Sequence, residues 1–429
     1  MARSFARFLL LAVVLAGCAS QPSRPPPLSA LRVGTSGDYP PFSDWQQERP
    51  SGFDAALAEA FAAANGLEPT WVRFRWPELT SDFSAGKFDL VASGITVRPE
   101  RSMLGRYSVP VVRNGAVLLL RRPRWAPPPA GSRGEPSQAL AEIRALDRAE
   151  LRVAVNRGGH LERVARSLFA RAQLTTIPDN AAVREALATG QVDAALTNTT
   201  EAPRWAEGLE GIEHLGPLTR DVVALWVRAD QPRLAAQLDV WLLAQEESGA
   251  LGQLRARYLG AGATEKTARP VEALLAATAE RLALMPLVAA AKQRAGTPVE
   301  DSAQEARVRE AFRASVREAA AALNVAPPPD EALDAFTQAQ MDAAKALQQR
   351  APAEASGPTY SLEQQLRPAV ARVSAKMAAL VVRLPPGLEP AAVAEQARDW
   401  LGASGLEPSE VELLARTLAG LRPHAPSVP

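Results

Sequence analysis

The sequence predicts a two-lobed α/β domain followed by an all-α helical bundle domain. From Leu31 to about Tyr258, short apolar runs alternate with amphipathic helical stretches, which is typical of an α/β fold with mainly parallel sheets. The alternation makes two passes, which predicts two lobes with a ligand in the cleft between them. After Gly260, strand signals almost vanish and Ala, Leu, Glu, Arg and Gln dominate, as in a helical bundle. We therefore expect an α/β domain over residues 31–262 and a helical domain over residues 266–429.

Hydrophobic spacing locates the elements of the α/β half. Apolar residues at Phe53, Leu57 and Phe61 recur with helical spacing, and Gly66 ends that helix. Compact apolar runs are interpreted as buried strands. The predicted strands are 31–34, 90–92, 116–120, 151–155 and 192–196, and the predicted helices are 52–65, 161–172 and 182–189.

The second half contains long helical patterns separated by proline-rich breaks. Pro327 to Pro329 is one such break, and residues 351–358 form a further linker. Residues 124–136, rich in Pro, Gly and Arg, are expected to form a surface loop between the two lobes. The predicted helices are 271–294, 302–324, 330–350, 362–384 and 389–421.

Composition excludes several classes of function. The 48 Lys and Arg residues balance 47 Asp and Glu residues and no basic stripe is visible, so no nucleic acid is expected as a partner. The three His residues are scattered without metal-ligand spacing. One Cys in 429 residues excludes a disulfide framework and a Cys-based zinc site. We therefore expect no metal centre.

The only Cys, Cys18, ends a segment with the features of a secretory signal. Basic residues precede an apolar run from Phe8 to Leu15, which is too short to cross a bilayer as a helix of ~20 residues. Leu15-Ala16-Gly17-Cys18 resembles the bacterial lipobox. The resemblance implies that residues 1–17 are a lipoprotein signal peptide, that Cys18 is lipidated, that residues 18–30 are a tether, and that the protein is a periplasmic, membrane-anchored lipoprotein. The alternative is an ordinary signal peptide that happens to contain a Cys.

Motifs in the α/β half resemble a known family. The stretch Arg32 to Ser43, together with Gly52-Phe53-Asp54, resembles the periplasmic solute-binding proteins that take polar amino acids. Further motifs resemble the cyclohexadienyl dehydratases, enzymes built on that binding-protein fold, and the resemblance covers about Leu31 to Leu259. These motifs are Trp76-Pro77-Glu78-Leu79, Asp82-Phe83, Phe88-Asp89-Leu90, Ser93-Gly94-Ile95-Thr96, Glu100-Arg101, Asn156-Arg157-Gly158-Gly159, Pro178-Asp179-Asn180 and Thr197-Asn198-Thr199-Thr200-Glu201.

The dehydratase resemblance implies a reaction and a set of roles. Such an enzyme converts prephenate into phenylpyruvate with loss of carbon dioxide and the ring hydroxyl, without a metal or redox cofactor. Glu201 would be the acid that protonates the departing hydroxyl, which requires a raised pKa and partial desolvation. Arg101 would clamp a substrate carboxylate. The remaining substrate-binding candidates are Asp38, Trp76, Ser93, Thr96, Asn156, Gly159, His160 and Asn198, with backbone amides near Gly158-Gly159 as donors if a helix follows them.

Two positions depart from the family pattern. Relatives that bind amino acids use an Asp three residues before the Glu201 position to hold the ligand ammonium, whereas this chain has Asn198. The missing carboxylate argues against an amino acid and favours a keto acid such as prephenate over arogenate. His160 stands where a hydroxyl residue commonly helps to bind a carboxylate, so its charge state becomes relevant.

The helical half resembles the secreted, all-helical chorismate mutases. Arg281 and Lys292 are eleven residues apart, about three turns at 3.6 residues per turn, so both cations share one helix face. The resemblance covers about Val271 to Leu421. It rests on Glu280-Arg281-Leu282, Lys292, Pro298-Val299-Glu300-Asp301, the stretch Ala339 to Gln348, Leu366-Arg367-Pro368-Ala369-Val370 and Lys376-Met377.

The mutase resemblance implies a site that works by positioning chorismate and by stabilising charge on its breaking ether oxygen. Arg281 would clamp a carboxylate, and Lys292 and Gln348 would donate to the ether oxygen. Glu300 or Asp301 would orient neighbours and hold the substrate hydroxyl.

Two positions of the helical half depart from the mutase pattern. Family members place an Arg where this chain has Gln304, and Arg307 would replace it only if the helix rotates or shifts. Lys376 stands where an Arg is expected, which loses a planar fork. These changes would weaken the mutase.

Together the two halves predict a bifunctional extracytoplasmic enzyme. The helical domain would make prephenate from chorismate, and the α/β domain would turn it into phenylpyruvate, so the product of one domain is the substrate of the other. No cofactor is expected, and the expected partners are these two substrates and a membrane through Cys18. One alternative is a non-enzymatic solute-binding lipoprotein of a transporter with a degenerate helical domain. Another is a dehydratase whose helical domain is purely structural or regulatory.

Overall fold

The computed structural model describes residues 30–122, 136–260, 263, 265–352 and 359–421. The predicted signal peptide, Cys18 and the predicted tether up to residue 29 lie outside this range. Most of the predicted 124–136 loop and residues 353–358 of the predicted linker also lie outside it.

Strands and helices alternate through the first half, as the sequence predicts. The strands are β1 (Ala30–Thr35), β2 (Asp38–Tyr39), β3 (Ser43–Gln46), β4 (Arg49–Ser51), β5 (Glu68–Arg73), β6 (Leu90–Val91), β7 (Gly105–Tyr107), β8 (Val112–Asn114), β9 (Ala116–Arg121), β10 (Arg152–Asn156), β11 (Gln173–Ile177), β12 (Ala194–Asn198), β13 (Ile212–Leu215), β14 (Asp221–Val223) and β15 (Trp226–Arg228). The helices are α1 (Phe53–Ala64), α2 (Leu79–Ser84), α3 (Pro99–Ser102), α4 (Pro136–Leu146), α5 (His160–Leu168), α6 (Asn180–Ala188), α7 (Ala202–Ala206), α8 (Pro232–Glu247) and α9 (Ala250–Leu259), with a 3₁₀ turn at Trp76–Glu78.

Two five-stranded sheets form the two lobes. The first sheet has the order β5-β1-β6-β15-β7 and the second the order β11-β10-β12-β9-β13. In each sheet the first three strands of this order pair in parallel, whereas the fourth strand pairs antiparallel with both of its neighbours. The expectation of mainly parallel sheets is therefore only half correct. Strands β8 and β14, which connect the two lobes, pair antiparallel with each other. The sequence pattern does not reveal this mixture because a buried strand is apolar in either direction.

Local chemistry explains where the elements end. Gly52 precedes α1 with φ 109°, and a Cβ there would lie 2.6 Å from the carbonyl oxygen of Phe42, so only glycine fits this entry. The predicted helix 161–172 begins at His160 and stops earlier, at Leu168, because Phe169 turns to an extended conformation ahead of β11.

The second half contains helices and no strand within the described residues. Its helices are α10 (Pro270–Ala283), α11 (Met285–Ala295), α12 (Ser302–Leu323), α13 (Asp330–Arg350), α14 (Arg367–Val381), α15 (Pro390–Leu401) and α16 (Pro408–Ala419), with a π-helical turn at Leu362–Leu366 before α14.

Three predicted helices of this half are corrected. The predicted helix 271–294 is interrupted at Leu284, because Pro286 lacks the amide hydrogen that an uninterrupted helix would use. The predicted helix 389–421 is two helices, α15 and α16, and α16 begins at Pro408 behind a capping box of Glu407 and Glu410. The predicted helix 362–384 is the π turn followed by α14 and ends at Val381.

The helical bundle packs directly against the first lobe. Helix α10 contacts α3, and α14 contacts β7. One cluster of buried apolar side chains runs from Leu31 in the first lobe to Leu421 in the bundle, whereas the second lobe has its own clusters. The α10–α11 stretch is long and apolar enough to cross a membrane, but 72% of its apolar window is buried inside the protein, as in the core helix of a soluble protein.

A buried ion pair stands at the junction of the domains. Arg255 of α9 and Glu246 of α8 are each 2% exposed at the side chain and lie 2.6 Å apart. Glu246 also accepts the backbone amide of Ala268, and Arg255 donates to the carbonyl of Val111 and to the Thr267 hydroxyl. The pair therefore ties the start of the helical half to the first lobe.

We expect Glu246→Ala to lower the free energy of unfolding by about 3–5 kcal/mol, because it leaves Arg255 as an uncompensated buried charge. Urea unfolding followed by circular dichroism measures the loss. The neighbouring Glu247 is exposed, so Glu247→Ala is the matched control and should change stability by no more than about 0.5 kcal/mol. Equal losses in the two variants would contradict a structural role for the pair.

Candidate active sites in the cleft and in the bundle

The first candidate site is the cleft between the two lobes. Tyr39, Trp76, Gly94, Thr96 and Arg101 line it from the first lobe. The second lobe and the linking strands contribute Asn114, Asn156, Gly159, His160, Leu161, Asn180, Asn198 and Asp221. The cleft is closed and has a volume of about 30 Å³, room for one or two water molecules. A substrate therefore enters only if the lobes move apart.

Glu201 lies fully buried behind the cleft wall, at the start of α7. Its Oε1 accepts from Asn180 Nδ2 at 2.7 Å, and its Oε2 accepts from Thr197 Oγ1 at 2.8 Å and from Asn198 Nδ2 at 3.1 Å. Burial raises the pKa of Glu201 to about 8, despite the hydrogen bonds from Thr197 and Asn180 that favour the carboxylate. Glu201 is thus a carboxylic acid at neutral pH, in contact with two side chains that line the cleft.

Arg101 faces the cleft from α3 of the first lobe. It is 2% exposed, its Nη1 donates to the Thr96 carbonyl at 3.2 Å, and it forms no ion pair with any residue that the structure describes. Burial lowers the pKa of Arg101 to about 10, so the guanidinium still carries its charge at neutral pH. A buried cation without an anionic partner is suited to binding a ligand carboxylate.

The other predicted residues of the first lobe divide into two groups. Trp76 and Thr96 line the cleft, whereas Ser93 is buried behind it and bonds to the Ser36 hydroxyl at 2.8 Å. Asp38 accepts from the indole of Trp76 at 3.1 Å and faces a wide groove of about 720 Å³ rather than the closed cleft. Ser93 and Asp38 therefore hold neighbours in place instead of lining the closed cleft.

The predicted residues of the second lobe all line the cleft except Glu201. Helix α5 begins at His160, so the chain before it does precede a helix, but the amide of Gly158 is already taken by Glu162 at 2.7 Å. His160 Nε2 lies 3.1 Å from Asp221 Oδ2. Asn198 Nδ2 also donates to the Tyr39 hydroxyl at 2.6 Å, which joins the two lobes across the closed cleft.

The second candidate site is a cavity of about 440 Å³ inside the helical bundle. Arg281, Lys292, Asp301, Gln304 and Gln348, predicted from separate parts of the sequence, all line it. Its wall carries five cationic side chains against the two carboxylates of Asp301 and Glu305. The cations are Arg281, Lys292, Arg307, Lys345 and Arg367. Lys345 pairs with Glu305 and Asp342, and Arg367 pairs with Glu363. The cavity therefore favours an anionic ligand through Arg281, Lys292 and Arg307, which form no ion pair with a described residue.

Arg281 and Lys292 are the two cations best placed for a ligand. Arg281 is 7% exposed, donates to the Gln340 carbonyl at 3.0 Å and forms no ion pair with a described residue. Burial lowers its pKa to about 10. The Lys292 ammonium donates to the Val299 carbonyl at 3.0 Å, and burial, followed by the charge of Arg367, lowers its pKa.

The remaining predicted residues of the cavity wall are Gln304, Asp301 and Gln348, with Arg307 beside Gln304. Gln304 accepts from Arg307 Nε and Nη2 at 3.2 and 2.8 Å, and both residues line the cavity, so Arg307 reaches the wall without any shift of the helix. Asp301 caps α12 by accepting the Gln304 amide at 2.9 Å. Gln348 is buried and its Oε1 has no partner among the described residues.

Two predicted residues of the helical half lie outside this cavity. Glu300 is exposed and does not line the cavity. Lys376 points the other way, towards the α/β domain, where its Nζ donates to the carbonyls of Tyr107 and Ser108 at 3.2 and 2.9 Å. Arg367 of the same helix lines the cavity instead. Lys376 and Arg367 differ in this respect because they occupy different faces of α14.

Sequence reasoning missed several lining residues of the cleft. Tyr39 and Asn180 belong to motifs that resemble the family, but the resemblance assigned them no role. Asn114 and Asp221 belong to the linking strands β8 and β14, which carry no recognisable motif. Among the described residues, no group of three or more His, Cys, Asp or Glu side chains is arranged to hold a metal ion.

Comparison with known proteins places the first domain in a family. The bacterial extracellular solute-binding proteins, family 3, match residues 31–261. Cyclohexadienyl dehydratase of Pseudomonas aeruginosa is 30% identical over 236 residues, which cover 53% of this chain and 82% of that protein. An arginine-binding protein of an Escherichia coli ABC transporter is 31% identical over 93 residues, 21% of this chain and 38% of that protein.

A solved structure is also similar. The crystal structure of an ancestral amino acid-binding protein, described as a precursor of cyclohexadienyl dehydratase, is 26% identical, covers 54% of this chain and 95% of its own, and has a TM-score of 0.47. The family match spans more than half of the 429 residues and ends before the first helix of the bundle. The chain therefore belongs to family 3 of the bacterial extracellular solute-binding proteins.

Proposed function

We propose that the protein is a bifunctional enzyme. The helical cavity would convert chorismate into prephenate, and the cleft of the α/β domain would convert prephenate into phenylpyruvate, with prephenate preferred over arogenate. The proposal depends most on Glu201, a buried carboxyl group beside the cleft that accepts three hydrogen bonds and whose pKa burial raises to about 8. In the same cleft, Arg101 is buried and forms no ion pair with a described residue. A carboxyl group with a raised pKa beside a ligand cleft is suited to general-acid catalysis, which a dehydratase needs.

In the cleft, Arg101 would bind a carboxylate of prephenate and Glu201 would supply the proton. The bond between the ring and its carboxylate breaks, carbon dioxide leaves, and the electron pair completes the aromatic ring. The carbon–oxygen bond of the ring hydroxyl breaks at the same time, and the Glu201 proton converts the hydroxyl into water. Three of the four lone-pair positions of Glu201 accept hydrogen bonds, which leaves one position on Oε1 for that proton.

In the helical cavity, the cations would hold the two carboxylates of chorismate in a compact conformation. Arg281 comes from α10 and Lys292 from α11, and Gln348 comes from α13. The rearrangement has no covalent intermediate, so positioning and charge stabilisation on the ether oxygen are sufficient. The excess of cationic side chains on the wall supports a dianionic substrate of this kind.

A solute-binding lipoprotein remains the alternative function, supported by the relatives that are binding proteins. The family supports a location outside the cytoplasm. We further propose lipidation at Cys18 as the membrane anchor.

Incubation of the purified protein with chorismate, with phenylpyruvate as the measured product, separates the possibilities. Binding of prephenate without turnover would select the receptor, and turnover of prephenate but not of chorismate would select a dehydratase with a structural bundle.

We expect Glu201→Gln to lower kcat for prephenate by about 10²–10⁴, the usual contribution of a general acid, with a smaller change in KM. Phenylpyruvate formation measures the rate. Glu207, exposed just after α7, provides the matched control Glu207→Gln, which should behave as the wild type. Full activity of Glu201→Gln would remove Glu201 from the reaction.

The same acid predicts the pH dependence. Only protonated Glu201 can donate, so kcat/KM for prephenate should stay level below pH about 8 and fall about tenfold per pH unit above it. Infrared difference spectroscopy tests the group without substrate. In the difference spectrum between the wild type and Glu201→Gln, a protonated carboxyl band should be present at pH 7 and should disappear as the pH rises through about 8. A carboxyl group that is already ionised at pH 6 would contradict this assignment.

We expect Lys292→Met to slow the loss of chorismate at least about tenfold, because a charged hydrogen bond contributes about 1.5–3 kcal/mol. Turnover of prephenate supplied directly should not change, since Lys292 lines the helical cavity and does not line the cleft. Arg294, exposed on the same helix, provides the control Arg294→Met. An equal effect of both variants would indicate a general charge effect rather than a site.

A further inference from the structure

We infer that Glu280 of the helical bundle is a positioning residue for the cleft of the α/β domain, because it holds the short helix that carries Arg101. This inference rests on the proposed role of Arg101 in binding the substrate carboxylate. The helical bundle would then contribute to the reaction in the cleft of the α/β domain, in addition to forming its own cavity.

Helix α3 has only four residues, Pro99–Ser102, and cannot be stable by itself. Its last residue, Ser102, is fully buried and donates from Oγ to Glu280 Oε1 at 2.8 Å. Glu280 is on α10 of the bundle and is 6% exposed. The side chain next to Ser102 is Arg101, so this hydrogen bond lies one residue from the cation that faces the cleft.

Two cations of α14, Arg372 and Lys376, hold the same segment as Glu280, and these three residues form the anchor of α3. Arg372 Nη2 donates to the carbonyls of Ser102 and Met103 at 3.0 and 2.8 Å, at the C-terminal end of α3 where positive charge is favourable. Lys376 Nζ donates to the carbonyls of Tyr107 and Ser108 and lies 3.7 Å from Glu280 Oε2. Glu280, Arg372 and Lys376 therefore hold both ends of the segment from Ser102 to Ser108.

That segment also fixes the side-chain end of Arg101. The Tyr107 hydroxyl donates to the Thr96 carbonyl at 3.1 Å, and Arg101 Nη1 donates to the same carbonyl at 3.2 Å. The Tyr107 hydroxyl also accepts the backbone amide of Arg98 at 3.1 Å. The anchor in the bundle thus reaches the guanidinium through the backbone of α3 and, separately, through Tyr107.

The consequence for the reaction follows from geometry. A bidentate contact between a guanidinium and a carboxylate tolerates little displacement, so a loosened α3 weakens substrate binding. Arg101 binds a carboxylate in the ground state, and Glu201, which lies in the other lobe, is unaffected. Loss of the anchor should therefore raise KM for prephenate and leave kcat nearly unchanged.

The test uses the full chain with Glu280→Ala, Ser102→Ala and the double variant. Each single change should raise KM for prephenate about tenfold, within the range of one hydrogen bond to a charged group, with kcat within about twofold. The double variant should resemble Glu280→Ala, because Glu280→Ala already removes the contact with Ser102 together with the contact with Lys376. Glu280→Gln keeps an acceptor for Ser102 and should restore most of the affinity. Glu265, which pairs with Arg113 at the same domain junction without touching α3, provides the control Glu265→Ala.

Amide hydrogen exchange of residues 99–104, without substrate, is the second measurement. Exchange should be faster in Glu280→Ala and Ser102→Ala than in the wild type and in Glu265→Ala, while the rest of the chain is unchanged. A KM equal to that of the wild type, or faster exchange throughout the protein, would overturn the inference. If the wild type does not turn over prephenate, the proposed function fails, and the exchange of 99–104 alone decides whether Glu280 anchors α3.

Discussion

One apolar core joins the first lobe of the α/β domain to the helical bundle, and both candidate sites depend on it. Leu57 and Leu225 of the lobe belong to the same buried cluster as Leu274 and Leu380 of the bundle. Burial of apolar surface is the dominant favourable term in folding, and here it also removes water from the domain junction. Hydrogen bonds across that junction, such as the one from Ser102 to Glu280, are stronger for being made in a low dielectric.

Incomplete charge pairing distinguishes the sites from the scaffold. The buried Glu246–Arg255 pair is fully satisfied, as a structural ion pair must be, because an isolated buried charge costs several kcal/mol. Arg101 and Arg281 are equally buried but form no ion pair with a described residue. Glu201 avoids the same cost by holding a proton. A substrate with carboxylate groups would provide the missing ionic partners of Arg101 and Arg281 and would leave the Glu201 proton available for transfer.

The sequence predicted the elements well wherever one periodicity was sufficient. Phe53, Leu57 and Phe61 mark α1 because a 3.6-residue period places them on one face. Arg281 and Lys292 do line one cavity, but they lie on two helices, α10 and α11, rather than on one face of a single helix. The break at Leu284 was missed, although Pro286 was a visible signal for it. Lys376 was assigned to the wrong side of α14 because periodicity gives the faces of a helix but not the partner that each face meets.

The sequence alone therefore determined the two-domain order, the α/β and all-α classes, and some of the ionisable residues at each site, because local pattern and motif carry that information. Only the tertiary structure decided that Glu201 stands behind the cleft wall, that Arg367 and Arg307 supply cations to the helical cavity, and that the bundle holds the helix of Arg101. These facts depend on contacts between residues far apart in the chain. No local pattern records such contacts, because burial and charge pairing arise only when the elements pack.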